Sequence, residues 1–279
     1  MASHYDATAA PTLWRMPDAL WAACQALLPP EKPRGPRGRP AVPFRQVLDG
    51  IRHVLRTGCH WKAVPREFGS GSTVHARFQE WTRQGVWARL WAAQLRRYDA
   101  VHHLGWNWQA ADSATVPSPL GGDATGPDPT NRGKLGTKRH VLTDRRGAPL
   151  SVVLSAANRT DMKLAEAPLD QVVVPRPRPR PGHPQHLCRD KGFDYPETDQ
   201  AAQARGYVTH TARKRHRGEP PPPRTARHPA RRWVLERTNS WHNRFRKLRI
   251  RYEKHASNYL GLVQLACALI VCRLCLFLG

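Results

Sequence analysis

Three carboxylates, Asp112, Asp190 and Glu236, have the residue type and setting for metal-assisted chemistry on phosphate. Glu236 stands in WVLERTNSWHNRFRKLRIRY (233–252), the only acid between Glu219 and Glu253 in a strongly basic stretch. At about 100° per residue, Val234, Thr238, Trp241, Phe245, Leu248 and Tyr252 form an apolar stripe, as on a helix lying against a core. Arg232, Glu236, Asn239, Asn243 and Lys247 fall roughly opposite, a pattern that a solvated face also produces. Asp112 lies within a strand-like run at 108–116, and Asp190 follows the short apolar run 186–188. Three acids offer hard oxygen ligands suited to Mg²⁺ or Mn²⁺. Two such ions roughly 3.5 to 4 Å apart can serve an in-line displacement at a phosphodiester. By spacing alone three acids are a weak signal. Asp144 in a turn and Asp161 at an expected N-cap have structural explanations, and Glu253 reads as a surface ion-pair partner.

These carboxylates need a frame. Residues 17–28 and 44–56 carry helical spacing, the first stopped by Pro29-Pro30 and the second by Gly58. After an apolar piece at 61–68, the GSGS turn leads through Ser72 or Thr73 into a helix with Val74, Phe78 and Trp81 inward and Ala76, Gln79, Glu80 and Arg83 outward. That order suits a helix-turn-helix reading a groove through Gln79 and Arg83; an ordinary helical hairpin fits equally. In KPRGPRGRP (32–40), Arg37-Gly38-Arg39-Pro40 is like the core of an AT-hook lying in a minor groove, and a plain basic linker is the alternative.

From Trp106 the period changes. Strands at 108–116, 138–143 and 150–155 are followed by a helix at 161–173, a strand at 186–188, a helix at 195–205 and a strand at 207–210. The tract 213–232 is too polar and proline-rich to fold unaided. A three-stranded meander followed by alternating α/β units can place the first strand beside the fourth, with a late helix across the sheet. Asp112, Asp190 and Glu236 then converge.

The 279 residues include 45 Lys and Arg against 21 Asp and Glu, a formal charge of +24, which calls for a polyanionic partner such as nucleic acid. The length allows one large or two ordinary domains. The six cysteines show no disulfide rhythm and the N-terminus no export signal, so a reducing, cytoplasmic setting near the bacterial nucleoid is expected. Cys272 and Cys275 form a CxxC inside an apolar helix, and His183, His186 and Cys188 lack a fourth ligand at zinc-finger spacing. Gln264 and Arg273 interrupt the last apolar segment, which reads as a buried closing helix and not a membrane span.

The segments ADSATV (111–116), CRDKGFDY (188–195) and RRWVLERTNSWHNRFRKLRIRYEK (231–254) resemble the signature regions of DDE transposases of the bacterial insertion-sequence-five type. LLPPEKPRGPRGRP, VLRTGCHWKAVPREFG and VHARFQEWTRQGVW are similar to that family's helical N-terminal region, and ASNYLGLVQLACALIVCRL to its closing helix. The resemblance implies an α/β, RNase H-like catalytic domain (mixed sheet flanked by helices) at 104–279, preceded by an all-α, helix-turn-helix-like DNA-binding region at 1–103. It implies that Asp112, Asp190 and Glu236 are the catalytic metal ligands, holding Mg²⁺ or Mn²⁺, with two ions expected. It further implies cleavage by water at terminal inverted repeats, 3′-OH strand transfer into target DNA, and a homodimer or higher homo-oligomer on DNA. Arg232 matches the family's Arg four residues before the glutamate. Where the family has Lys seven residues after it, this chain has Asn243, with Arg246 and Lys247 following as further DNA contacts. Arg189 stands where a small apolar residue is commoner. A transposase-derived DNA-binding protein and an RNase H-like nuclease without strand transfer are the alternative functions.

Overall fold

The computed structural model describes residues 15–31, 41–211 and 233–277. The AT-hook-like linker with Arg37 and Arg39, and Arg232, lie outside the described residues.

The first half is helical: α1 (Asp18–Gln25), α2 (Phe44–Thr57), α3 (Gly71–Arg83) and α4 (Val86–His102). In α2, Phe44, Val47, Leu48, Ile51, Val54 and Leu55 recur at helical spacing and all are buried, and Gly58 ends the helix in the left-handed region at φ 76°. Ser70 caps α3 by accepting the Thr73 N–H at 3.1 Å, ahead of the expected Ser72 or Thr73. The α2–α3 connection contains two 3₁₀ turns, Trp61–Ala63 and Arg66–Phe68, so it is longer than the turn of about three or four residues in a minimal helix-turn-helix. Its length follows from Trp61 and Phe68, which drop into the core. Trp61 stacks on Phe78 at 5.1 Å, and Phe78 on Trp87 at 5.7 Å.

The strands are β1 (Trp108–Pro117), β2 (Gly126–Pro127), β3 (Leu135–Thr143), β4 (Pro149–Ala156), β5 (Gln185–Arg189) and β6 (Tyr207–Thr211). They form one sheet in the order β4-β3-β1-β5-β6, with β2 pairing the start of β3 beyond β4. The β1–β3–β4 meander is antiparallel, while β5 and β6 add parallel to β1. This mixed sheet, flanked by helices and preceded by an all-helical region, is RNase H-like. The sheet therefore puts the first and fourth principal strands side by side, as the element order allows.

Two expected helices are shorter in the structure. The segment 161–173 holds a 3₁₀ turn (Asp161–Leu164) and the single-turn α5 (Ala167–Asp170), because Pro168 lacks the N–H that would join them into one helix. After α6 (Pro196–Ala204), helix α7 (Trp233–Asn243) ends well before Tyr252. A 3₁₀ turn, Arg246–Leu248, keeps Phe245 and Leu248 buried, but Tyr252 is 46% exposed. The chain leaves the helix because Arg251 must reach the core. Its guanidinium, fully buried, donates to Thr137 Oγ1 at 2.7 Å and to the carbonyls of Glu253 and Lys254, while its backbone N–H pairs with Pro117 O.

Helix α8 (Ala256–Phe277) is long and apolar enough to cross a membrane by composition, yet 67% of its most apolar window is buried. It packs against α4 and β4, and one hydrophobic cluster runs from Met16 through the helical region and the sheet to Cys272. The chain passes from α4 to β1 through a loop at His103, where φ is 56°.

Candidate active site

Side chains alternate across a sheet, and Ala110 on β1 pairs with Cys188 on β5 in parallel register. The register ends at Ala111 beside Arg189, so Asp112, midway along β1, comes next to Asp190, the first residue past the end of β5, on strands spaced about 4.8 Å apart. Asp190 thus stands at the carboxyl end of β5, where ligands of open α/β sheets bind. Both aspartates are half-buried. Asp112 Oδ1 accepts the Ser113 N–H at 2.7 Å, and the Asp190 side chain caps the 3₁₀ turn Lys191–Phe193 through the Lys191 N–H.

Helix α7 packs against β1. At its middle, Thr238 Oγ1 donates to Gly147 O at 2.9 Å in the β3–β4 turn; at its end, Asn243 Oδ1 accepts from Arg139 Nη2 at 3.3 Å. Gly147 has φ 83°, and a Cβ there would come within 2.8 Å of Thr238 Oγ1, so glycine is required for the helix to seat. Since Arg139 pairs with Ala114 and Thr143 with Ala110, α7 runs alongside β1 past the level of Asp112. Glu236 lies exposed in the first turn, and Asn239, three residues on, has a buried Oδ1 with no hydrogen-bond partner.

Among the described residues, no set of three His, Cys, Asp or Glu side chains is close enough together to hold a metal ion. Asp112 and Asp190 lie on neighbouring strand segments, and Glu236 lies on α7, which packs against β1, without the three forming one metal-holding group. The two aspartates match a hard divalent cation in donor type and partial burial. The His186 ring meets His210 at 2.8 Å on the sheet, and with Cys188 this forms no metal group among the described residues. Cys272 and Cys275 are free thiols, and burial raises both pKa values, as expected of cysteines packed in an apolar helix.

The surroundings of the aspartates explain two residues the sequence left open. Arg189, directly before Asp190, is buried and donates to Thr198 O at 2.9 Å, to Thr211 Oγ1 at 3.1 Å and to the Asp199 carboxylate. Burial lowers its pKa, opposed by Asp199. It is the clamp joining β5, α6 and β6 beneath the Asp190 turn. Asp161, expected to be an N-cap, is not one: the N-cap is Thr160. Its Oδ1 instead accepts from Ser113 Oγ at 2.9 Å and Lys138 Nζ at 3.1 Å, and its Oδ2 lies 3.4 Å from where a Cβ on Gly192 would be. It therefore ties the strand of Asp112 to the turn of Asp190 from the opposite face. No local sequence signal distinguishes it from a capping residue.

The expected DNA contacts divide by exposure. Arg83, Asn243 and Arg246 are exposed and Gln79 is half-buried. Lys247 is a correction: at 4% side-chain exposure it lies 3.7 Å from Glu253 and donates to Cys59 O at 3.4 Å, which removes it from any phosphate-facing surface. Glu253 is likewise buried, not a surface partner, and accepts the Trp61 indole N–H at 3.0 Å. Asp144 keeps its structural role, accepting the N–H groups of Gly105, Arg146 and Ala148 while burial raises its pKa.

Comparison with known proteins agrees with this arrangement. Residues 16–91 match the family described as "Putative transposase of IS4/5 family", and residues 109–271 the family described as "Transposase DDE domain". The chain is 34% identical over 154 residues, 52% of its length and 67% of the relative's, to "Putative transposase for insertion sequence element IS402" of Burkholderia cepacia. It is 37% identical over 116 residues, 40% of its length and 79% of the relative's, to "Insertion element IS402 uncharacterized 16.2 kDa protein" of the same organism.

Proposed function

The chain belongs to the DDE transposases of the IS4/5 insertion-sequence family, and from that membership we propose that it cuts DNA at the terminal inverted repeats of its element and joins the freed 3′-OH to target DNA. The observation that supports the reading is the neighbouring register of Asp112, midway along β1, and Asp190, just past the end of the parallel strand β5, with the Glu236 helix packed against β1.

In this reading Asp112, Asp190 and Glu236 hold Mg²⁺ or Mn²⁺, two ions in the working complex. Bound there, divalent ions supply Lewis-acid activation of the attacking oxygen and charge stabilisation for the leaving oxygen. The protein's own groups do the rest. Ser113 N–H and Lys191 N–H orient the two aspartates, and Asp161 and Arg189 hold their strands. Exposed Arg83, Asn243 and Arg246 contact DNA, with Gln79 on the same helix as Arg83; Arg37, Arg39 and Arg232 add to them from outside the described residues. Cleavage and joining are both phosphodiester displacements, so one site serves both and no covalent protein nucleophile is needed. The helical region at 1–103 contributes DNA binding, the region at 104–279 the chemistry, and a homodimer or higher oligomer pairs the two element ends.

A DNA-binding protein that no longer cuts is the alternative, and the retention of Asp112, Asp190 and Glu236 argues against it. Incubation with labelled inverted-repeat DNA, a target plasmid and Mg²⁺ separates the readings. A joined product supports the transposase, hydrolysis alone an RNase H-like nuclease, and retention without cutting the binding protein.

A further inference from the structure

The run PRPRPRPG (175–182) leads into β5 and takes no part in the site described above. Proline at every second place sets its own φ to about −65° and keeps the residue before it extended, which favours a polyproline helix of three residues per turn. In such a helix Arg176 and Pro179 share one side, and Arg178 and Arg180 take the other two. The contacts agree. The Arg176 guanidinium lies 3.5 Å from the centre of the Tyr207 ring and donates to Gln185 Oε1 at 2.6 Å and to Arg205 O at 2.8 Å. Pro177 O accepts from Gln185 Nε2 at 2.8 Å, and a Cβ on Gly206 would come within 2.8 Å of Pro179 Cγ. A turn ends the run: His183 N–H donates to Arg180 O at 2.9 Å across Pro181 and Gly182, whose φ is 76°, as in a type II turn. Arg178, Arg180 and His183 are exposed. We infer that this turn is a DNA-backbone contact, in which Arg178 and Arg180 take neighbouring phosphates of a duplex at the amino ends of β5 and β6.

An exposed charge run is ordinarily just solvated. Here the backbone is already ordered in the free protein by the prolines, Arg176 and Pro179, so a partner need not order it on binding. The charge is also uncompensated. Among the described residues Arg178 and Arg180 make no ion pair, and Glu166 and Asp170, the acids that reach the adjoining Arg205, are both held by it. Residues 175–184 contain no acid and no aromatic or aliphatic side chain beyond the proline rings, so a lipid surface has nothing to anchor in its interior. Phosphate suits the arginine fork. The two arginines are about 6 Å apart along the helix axis, close to the separation of neighbouring phosphates on one strand. From Gln185 to Asp190 the chain advances about 17 Å at the usual rise of a strand. The contact therefore grips the duplex away from Asp190.

This assignment rests on the chain binding DNA. Its test is fluorescence anisotropy of inverted-repeat duplex with the full-length protein, comparing the wild type with Arg178→Gln/Arg180→Gln and Arg178→Lys/Arg180→Lys over about 50 to 200 mM salt. Two lost phosphate contacts should lower the slope of log affinity against log salt by about 1.8, so this rise in salt weakens the wild type about twelvefold more than the Gln variant. The Lys variant should keep the wild-type slope, since its charges remain, and both variants the wild-type urea midpoint. A Gln variant with the wild-type slope, or a Lys variant that falls with it, overturns the contact and leaves the transposase reading standing. Absence of duplex binding by the wild type overturns both.

Discussion

Lys247 and Glu253 form a buried ion pair at 3.7 Å that joins the segment following α7 to the first helical half, because Glu253 also accepts the indole N–H of Trp61. The Lys247 ammonium stands 5.8 Å from the centre of the Trp61 ring and donates to Cys59 O. Removing one member of a buried pair strands the other charge, which typically costs about 3 to 5 kcal/mol. Lys247→Ala is therefore expected to lower the urea unfolding free energy by about that amount. Normal stability with weakened DNA binding would return Lys247 to the DNA-facing set.

Asp161 reaches both aspartate-bearing segments from behind. Asp161→Ala leaves Ser113 Oγ without its carboxylate acceptor and Lys138 with only the Arg159 carbonyl at 2.9 Å, a loss of about 1 to 3 kcal/mol in stability. Because those partners adjoin Asp112 and the Asp190 turn, metal-dependent cleavage is expected to fall more than end binding, and Asp161→Asn to recover part of it. Equal losses of cleavage and binding across both variants would reduce Asp161 to a general stabilising role.

Two imidazoles are buried neutral. Burial pushes His140 down to about 4 and His242 to about 3, the latter aided by Arg139. With the unfolded value near 6.5, the unfolded chain binds more protons between these values and the folded one fewer. Stability is thus fully present above pH 6.5 and is lost as pH falls toward 4, by up to roughly 1.4 kcal/mol per pH unit for each imidazole. Asp144, whose pKa is raised by burial, contributes with the opposite sign at and above the ordinary aspartate range. Urea midpoints between pH 7 and 5 should fall in the wild type and less in His242→Phe, relative to each protein's own pH 7 value. A flat profile contradicts this assignment.

The sheet was legible because the strand-like run at 108–116 and the short apolar run at 186–188 are local signals, and the order of elements limits which strands can neighbour. The helix of Glu236 was legible in type but not in length: Phe245 and Leu248 continue the apolar stripe through a 3₁₀ turn, so periodicity alone cannot place the end at Asn243. Burial of Lys247 with Glu253 depends on Trp61, 192 residues from that glutamate, and no window of sequence contains both. Arg189 looked out of place beside Asp190 for the same reason, its partners Asp199 and Thr211 arriving only with α6 and β6.

The central claim, that Asp112, Asp190 and Glu236 together serve metal-dependent phosphodiester chemistry, is tested most directly by cleavage of labelled inverted-repeat DNA in Mg²⁺. Metal-assisted charge stabilisation is worth several kcal/mol, so Asp112→Asn, Asp190→Asn and Glu236→Gln should each slow cleavage by at least about a hundredfold. End binding by mobility shift should stay near wild type. Wild-type cleavage by Glu236→Gln, with the two aspartate variants inactive, would remove Glu236 from the site; full cleavage by all three would contradict the account.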